Sequence, residues 1–451
     1  MHLANQKEPL LLFLGDILVF LVSLWLALLI RYGHSPDGVL FANHLTPFLL
    51  LFVAWTLVFF IAGLYDKHTS VLRSRLPQII FKSQLINTAV AVLFFYLVPT
   101  FGIAPKTTLF VYLTVSFVLV LVWRLSIFPI FGVRRKQKAI LLCGGAEMKE
   151  LRNEVNQNPR YSITFISSID LDDMGSFDFQ EEIVQRVYSE DVSIIVADLK
   201  SDKVEPLLPH LYNLIFSKVK FIDMHKVYED IFDRVPLSLL KYSWFLENIS
   251  LGPRFTYDAL KRLMDIVLSL LAGSISLAFY PLIILAIKLD DGGPIFIIQD
   301  RVGKNNRLIR VRKFRSMRRD DKGKYEADTA GRNDVTRAGK ILRKTRIDEL
   351  PQLWNVLQGD LSLIGPRPEL PSLVKIYESN VPYYNVRHLI KPGLSGWAQI
   401  YHDNHPHHAE AVMATKEKLS YDLYYIKNRS LLLDIKIALH TIRILLSRKG
   451  V

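Results

Sequence analysis

Asp348 and Glu349 stand side by side in ILRKTRIDELPQLWNVLQGDLSLIGPRPELP (Ile341–Pro371), just downstream of Arg343, Lys344 and Arg346. Two carboxylates among three cations admit several roles. Asp348 opens an apolar-periodic stretch of Leu350, Leu353, Trp354, Val356 and Leu357, so it suits an N-cap with Pro351 tolerated in the first turn. A helix N-terminus beside cations is also an anion site. The same pair can hold a divalent metal whose shell is completed by a substrate's phosphates. Downstream, GPRPE (Gly365–Glu369) fixes Arg367 between two prolines, a low-entropy loop suited to bidentate phosphate recognition. Arg315, inside KFRSM, is expected to face a phosphate, whereas Arg318 and Arg319 read as a solvated or lipid-facing edge. The histidines of YHDNHPHHAE (His402, His405, His407 and His408) read as a variable surface loop rather than a metal centre.

These groups need a scaffold, and hydropathy shows where it lies. Half of the 451 residues are hydrophobic. Mean hydropathy is nevertheless +0.21, so the apolar residues are clustered. Apolar runs at Pro9–Ile30, Pro47–Leu64, Ile79–Val98 and Leu109–Ile130 are each long enough to cross roughly 30 Å of hydrocarbon. The first is too long for a cleaved signal peptide and is followed by further spans. Lys67, Arg73 and Arg75 lie in one loop and Arg134–Lys138 follow the fourth run, while the other loops carry only Arg31 and Lys106. That asymmetry places both ends of the bundle in the cytoplasm. The net charge of +13 allows nucleic acid, anionic lipid or a phosphorylated substrate as partner. The lone Cys143 excludes an intramolecular disulfide and a multi-cysteine zinc site.

From Lys138 the pattern turns to soluble α/β. KAILLCGG reads as a buried strand entering a glycine turn, EMKELRNEVNQ as the following helix, and SITFISSID, VSIIVADL and VKFIDM as further strands. The pattern is Rossmann-like, but CGGAEM lacks the spaced glycines of GxGxxG, so a structural or assembly role is expected over nucleotide binding. Segment 263–287 has the length of a fifth span, yet Lys261, Arg262 and Lys288 flank it and 17 Lys and Arg follow within Arg301–Arg346. Exporting that block opposes the positive-inside tendency. A helix that enters the inner leaflet, breaks at Tyr280-Pro281 and leaves on the same side fits both facts, with Asp265 and Ser276 satisfying freed polar groups. GPIFIIQDRVGKNNRLIRVRKFRSMRRD (Gly293–Asp320) reads as a hairpin with a basic second strand, and LLLDIKIALHTIRILLSRK as an interfacial or a packed helix.

From Tyr257 to Lys449 the chain resembles the bacterial sugar transferases, the polyprenyl-phosphate hexose-1-phosphate transferases also called monotopic phosphoglycosyl transferases. The resemblance rests on KRLMDIVLSLL, GPIFIIQDRVGKN, KFRSM, RKTRIDELPQLWNVLQGDLSLIGPRPE, IKPGLSGWAQI and YDLYYIKNRSLLLDIKI, in that order. The spans and middle domain match the long form of the family more loosely. The resemblance implies three parts: a four-span bundle at 1–133, a Rossmann-like α/β domain at 138–250, and a mainly α monotopic catalytic domain at 255–451 with a re-entrant helix at 263–287. It implies Mg²⁺ as cofactor, a UDP-hexose donor, undecaprenyl phosphate as acceptor and release of UMP. Asp348 would be the nucleophile of an aspartyl-phosphosugar intermediate and Glu349 its partner, both also metal ligands. By the same resemblance Arg343 and Arg367 would hold phosphate, and Arg315 and Arg346 are further candidates for that role. The family usually carries Ser where this chain has Tyr280, before the helix-breaking Pro281. The expected setting is the bacterial inner membrane, as a homodimer joined through the middle domain, with the site on the cytoplasmic face. Membrane lipid, not nucleic acid, is the expected partner beyond the substrates, and glucose or galactose the expected hexose. An inactive polysaccharide-assembly scaffold and a nucleotide-sugar oxidoreductase are the alternatives. The Asp348-Glu349 pair, Arg343 and GPRP weigh against the first, and the missing glycine fingerprint against the second.

Overall fold

The computed structural model describes residues 7–65, 76–98, 106–128, 136–158, 161–172, 180–217, 219–249, 252, 254–317, 335–401 and 412–446. Lys67, Arg73, Arg75, Arg134, Arg135, Arg318, Arg319 and the four histidines His402, His405, His407 and His408 lie outside them. The chain forms two compact units, Met1–Ile231 and Phe232–Val451.

The first unit opens with α1 (Lys7–Tyr32), α2 (Gly38–Ile61), α3 (Leu76–Leu97) and α4 (Lys106–Val122), the last running on into a π-helical turn, Trp123–Ile127. All four are long and apolar enough to cross a membrane. The second starts at Gly38 rather than near Pro47, because Asp37 caps it through a 2.7 Å bond from the Leu40 amide and Pro47 is accommodated inside the helix. Phe20, Phe48, Trp55 and Tyr112 interlock in its core. A charge pair hides among them. Arg124 pairs with Asp16, both nearly inaccessible, and also donates to the Leu64 carbonyl at 2.8 Å, while the Tyr65 hydroxyl donates to Asp16 at 2.8 Å. Gly15 makes the approach possible: a Cβ there would fall 2.0 Å from the Trp123 ring.

The four expected strands form a parallel sheet, ordered β2-β1-β3-β4, from β1 (Gln137–Cys143), β2 (Ile163–Asp170), β3 (Ile194–Ala197) and β4 (Lys220–Asp223). The continuous burial of β1 from Ala139 onward and of all of β3 reflects strands covered on both faces. The glycine turn after β1 leads into α5 (Ala146–Gln157), and its Gly145 amide donates to Asp172 at 2.9 Å. Lys203 pairs with the same carboxylate at 2.7 Å. The chain's own Asp172 thus takes the donor that a phosphate would need.

The second unit begins earlier than the catalytic-type motifs. Val235, Leu240 and Trp244 are buried in one core with Tyr377, Trp397, Leu423 and Tyr425, and the Trp397 indole donates to the Asp233 carbonyl at 2.8 Å. Two helices, α6 (Phe255–Leu277) and α7 (Tyr280–Asp290), are apolar as a pair and bent by 56° at their junction. The break falls at Ala278–Phe279, so Tyr280 and Pro281 open the second helix, where the missing proline donor costs no intrahelical bond. Ser276 donates to the Gly273 carbonyl at 2.7 Å as expected of a helix end. Asp265 does not serve the break. It accepts from Ser362 Oγ at 3.1 Å and the Leu363 amide at 3.0 Å, anchoring α6 to the strand β7 (Ser362–Ile364). Tyr280 stacks edge-on against Phe314, 4.9 Å between ring centres, and so ties the break to the antiparallel hairpin β5 (Phe296–Val302) and β6 (Leu308–Phe314).

Candidate active site

Three segments converge around the carboxylate pair. The first is α8 (Arg337–Lys344), capped by Thr336, whose hydroxyl accepts from the Gly339 amide at 2.9 Å. After it the chain turns through Arg346, held at φ +55° in the left-handed region, a conformation that costs a non-glycine residue energy. That reversal throws the chain into a single 3-10 turn, Ile347–Glu349, before Pro351 starts α9 (Gln352–Gln358). Asp348 therefore sits inside a turn and caps neither element with its side chain. The bland capping role is not what fixes an aspartate here.

The second segment is the end of β6. Lys313, which in sequence belongs to the basic strand of the hairpin, places Nζ 3.5 Å from Glu349 Oε1. The third is the GPRP loop, from which Arg367 donates to the same Glu349 oxygen at 2.5 Å. A further layer holds that loop. Arg387 donates to the Arg367 carbonyl at 3.0 Å and pairs with Asp422 at 2.9 Å, and Lys418 pairs with Glu369. The backbones of Gly365 and Gly393 pass so closely that a Cβ on Gly393 would meet the Gly365 amide at 2.1 Å. Any side chain there would push the loop off Glu349.

The two carboxylates differ sharply. Burial would raise the Glu349 pKa, but the charges of Arg367 and Lys313 outweigh it and hold the group well below the usual carboxylate range. Asp348 is only 9% exposed and has no hydrogen bond or ion pair of its own among the described residues. Burial and the neighbouring Glu349 charge push its pKa up to about 6, against the pull of Lys313, Arg343 and Arg367. At neutral pH it is still mostly ionised, an unpaired carboxylate facing cations. Burial and the nearby Arg367 charge lower the Arg346 pKa, and burial lowers that of Lys313 despite Glu349. Extra negative charge would be welcome in this cluster.

Of the arginines singled out by sequence, Arg343, Arg346 and Arg367 act on the carboxylate pair. Arg315 is engaged elsewhere: it pairs with Asp291 at 2.9 Å, donates from Nε to the Met317 carbonyl at 2.9 Å, and packs over Gly293. Magnesium binds oxygen ligands, commonly one or two carboxylates plus substrate phosphates. Asp348 with its uncommitted oxygens, next to Glu349, fits that donor set. Among the described residues no three His, Cys, Asp or Glu side chains gather into an all-protein metal site, so phosphate oxygens would have to complete the shell.

A family model described as bacterial sugar transferase matches residues 256–448. The chain is 45% identical over 206 residues to a UDP-N-acetylgalactosamine-undecaprenyl-phosphate N-acetylgalactosaminephosphotransferase of Aeromonas hydrophila, covering 45% of this chain and 47% of that one. The match thus spans about half the length of that relative. It is 40% identical over 188 residues to the exopolysaccharide production protein PSS of Rhizobium leguminosarum bv. phaseoli, covering 41% of this chain and 93% of the relative. A UDP-glucose:undecaprenyl-phosphate glucose-1-phosphate transferase of Caulobacter vibrioides is 38% identical over 196 residues, covering 43% of this chain and 73% of its own.

Proposed function

Because the chain belongs to the bacterial sugar transferase family, we propose that it moves a hexose-1-phosphate from a UDP-sugar to undecaprenyl phosphate and releases UMP. The observation that carries this reading is the unpaired, buried Asp348 carboxylate beside a Glu349 already neutralised by Arg367 and Lys313. An Asp348 oxygen attacks the sugar-bearing phosphorus, an O–P bond forms, and the bridging P–O bond breaks with its electron pair leaving on UMP. The lipid phosphate oxygen then attacks the same phosphorus and returns the carboxylate. Splitting the transfer in two keeps two bulky anions from having to meet. Arg343, Arg346 and Arg367 stabilise charge that spreads over the transferring phosphoryl oxygens. Magnesium, bound through the carboxylate pair and the donor's phosphates, would supply further charge neutralisation there. Glu349 keeps Arg367 and Lys313 aimed at the reacting centre.

The setting proposed for this chemistry is the bacterial inner membrane. The bent α6–α7 pair dips into the cytoplasmic leaflet and returns, which keeps the basic segment after it on the same side as Asp348. The parallel-sheet domain is of Rossmann-like type and joins two protomers; its glycine turn, occupied by Asp172, does not serve a dinucleotide. The reaction is the first membrane step of a bacterial surface polysaccharide such as O-antigen, capsule or exopolysaccharide. Purified protein is to be incubated with magnesium, undecaprenyl phosphate and, one by one, UDP-glucose, UDP-galactose and UDP-N-acetylgalactosamine. UMP release dependent on both the lipid and one of these sugars is expected. Absence of UMP with every UDP-sugar, from a folded preparation, would sink the assignment.

A further inference from the structure

A cavity of about 490 Å³ opens in the second unit, and none of Arg343, Arg346, Asp348, Glu349 or Arg367 lines it. One face of α6 contributes Lys261, Arg262 and Asp265, joined by Lys304 at the β5–β6 turn, Lys391 and Arg429. Five cations line the cavity against two carboxylates, Asp258 and Asp265, so the charges do not balance. Lys261 is neutralised by Asp434 at 3.0 Å, and Asp265 is held by Ser362 and the Leu363 amide. Arg262 donates to the Val356 and Leu357 carbonyls at 2.7 Å each, neutral acceptors that leave its charge uncompensated. The ammonium groups of Lys304 and Lys391 make no ion pair among the described residues. The Arg429 Nε is buried without a hydrogen-bond acceptor.

Four cations that no ion pair neutralises, with Asp258 the one lining carboxylate left to answer them, leave the cavity net positive, and a buried donor without an acceptor costs free energy. Burial and the charges of Arg262 and Lys304 lower the Lys391 pKa against the opposing pull of Asp265 and Asp360. An anion in the cavity would relieve both costs. Its surroundings indicate what carries that anion. The helix α6 exposes Leu260, Leu263, Val267 and Leu271, and the helix Leu431–Leu446, which follows Arg429 closely, exposes Leu432 and Ile435. Exposed apolar side chains border the cations on two elements, as at the boundary between headgroups and acyl chains.

We propose that this cavity is a second phosphate-binding site, separate from the carboxylate pair, and that it takes the headgroup phosphate of an anionic phospholipid. Arg262 would then link the bound lipid to the C-terminal end of α9, the helix that follows Asp348. Lipid retention is independent of turnover, so this inference and the transferase reading can fail separately. The test uses the full chain in nanodiscs of equal phosphatidylcholine and phosphatidylglycerol, followed by native mass spectrometry of the lipids it keeps. Wild type should retain phosphatidylglycerol, and the Lys391→Gln/Arg429→Gln variant should lose that retention by about tenfold or more. Lys391→Arg should keep it. A parallel titration of glycerol 3-phosphate into phosphatidylcholine nanodiscs tests a soluble source: saturable binding there, lost in the double variant and without phosphatidylglycerol retention, would keep the phosphate site and reassign its ligand. Equal phosphatidylglycerol retention by wild type and a double variant of unchanged elution and Tm would overturn the proposal, as would no preference in either arm.

Discussion

Arg367 donates to Glu349 at 2.5 Å and leaves the adjacent Asp348 carboxylate without a partner among the described residues. Two neighbouring acids therefore play opposite parts: one is fixed as a counter-ion and the other kept available. Backbone geometry enforces the split. The left-handed turn at Arg346 leads into the 3-10 turn Ile347–Glu349, in which consecutive side chains point in different directions, so the two acids meet different partners.

Asp348→Asn removes a nucleophilic oxygen while keeping size. Turnover should fall by about 10³-fold or more, with an unchanged elution profile. Mass spectrometry of wild type with UDP-sugar and no lipid should find a hexose-phosphate adduct on Asp348, absent from the variant. Near-normal turnover in the variant would remove Asp348 from the chemistry. Stability should move the other way. A carboxylate whose pKa rises from 3.8 to about 6 on folding destabilises the native state as pH climbs through that window, so stability is greater below it. The Asn variant should therefore match or exceed wild-type Tm at pH 7.5 and lose that advantage near pH 4.

The same shift sets a pH profile. If the attacking group is ionised Asp348, kcat/KM should decline as pH falls below about 6, approaching tenfold per pH unit. Glu349, held far below the usual range, should contribute no inflection between pH 5 and 8. A profile flat down to pH 5 would show that the group titrating at about 6 is not the nucleophile.

Arg367→Gln leaves Glu349 buried with Lys313 and Arg346 as its remaining cations, and breaking such a pair typically costs about 3–5 kcal/mol when fully buried. With Arg367 a quarter exposed the loss should be smaller. A drop in Tm is expected together with a turnover loss of about 10²-fold or more. Adding Glu349→Gln should restore most of the Tm without restoring turnover. Recovery of both would reduce the pair to a structural clamp.

Much of this site is legible in sequence because it is local. Asp348, Glu349, Arg343 and Arg346 lie within seven consecutive residues, and the prolines of GPRP announce a rigid arginine. Lys313 is not, since its meeting with Glu349 depends on a hairpin closing over a distant turn. Arg315 misleads for a related reason: its neighbours in sequence do not reveal Asp291. In the bundle, hydropathy averaging finds all four helices but hides Asp16 and Arg124, whose 108-residue separation conceals a compensated pair. Tyr280 stands where the resemblance leads one to expect a serine; Ser276 donates to the Gly273 carbonyl just before the break, and the tyrosine ring packs on Phe314.

Topology can be read by single cysteines in a Cys143→Ser background. Cys143 is itself a quiet background, since burial and the Asp198 charge push its thiol up to about 12. Phe255→Cys, on the exposed start of α6, and Lys304→Cys, beyond α7, should both react with an impermeant maleimide only from the cytoplasmic side. Labelling of position 304 from outside would mean that α6 and α7 together cross the bilayer.

The core of the second unit also decides where the chain can be cut. Sequence pattern places the end of the middle domain near 250, yet Val235, Leu240 and Trp244 belong to that core, and the Asp233 carbonyl accepts from Trp397. Removing 139–248 would strip Val235, Leu240 and Trp244 from a core that also holds Ile364 of β7 and Tyr377. Losses of that kind run to about 2–5 kcal/mol per large side chain, enough to unfold a domain. Removing 139–231 spares all of them. The shorter deletion, bridged by a flexible linker, should keep measurable UMP release while losing dimer on size-exclusion chromatography; the longer one should lose activity through misfolding, seen as aggregation and a missing Tm transition. If the shorter deletion stays folded and membrane-bound but releases no UMP, the parallel-sheet domain takes part in turnover and is more than an assembly element. If it remains fully dimeric, protomer contacts lie elsewhere.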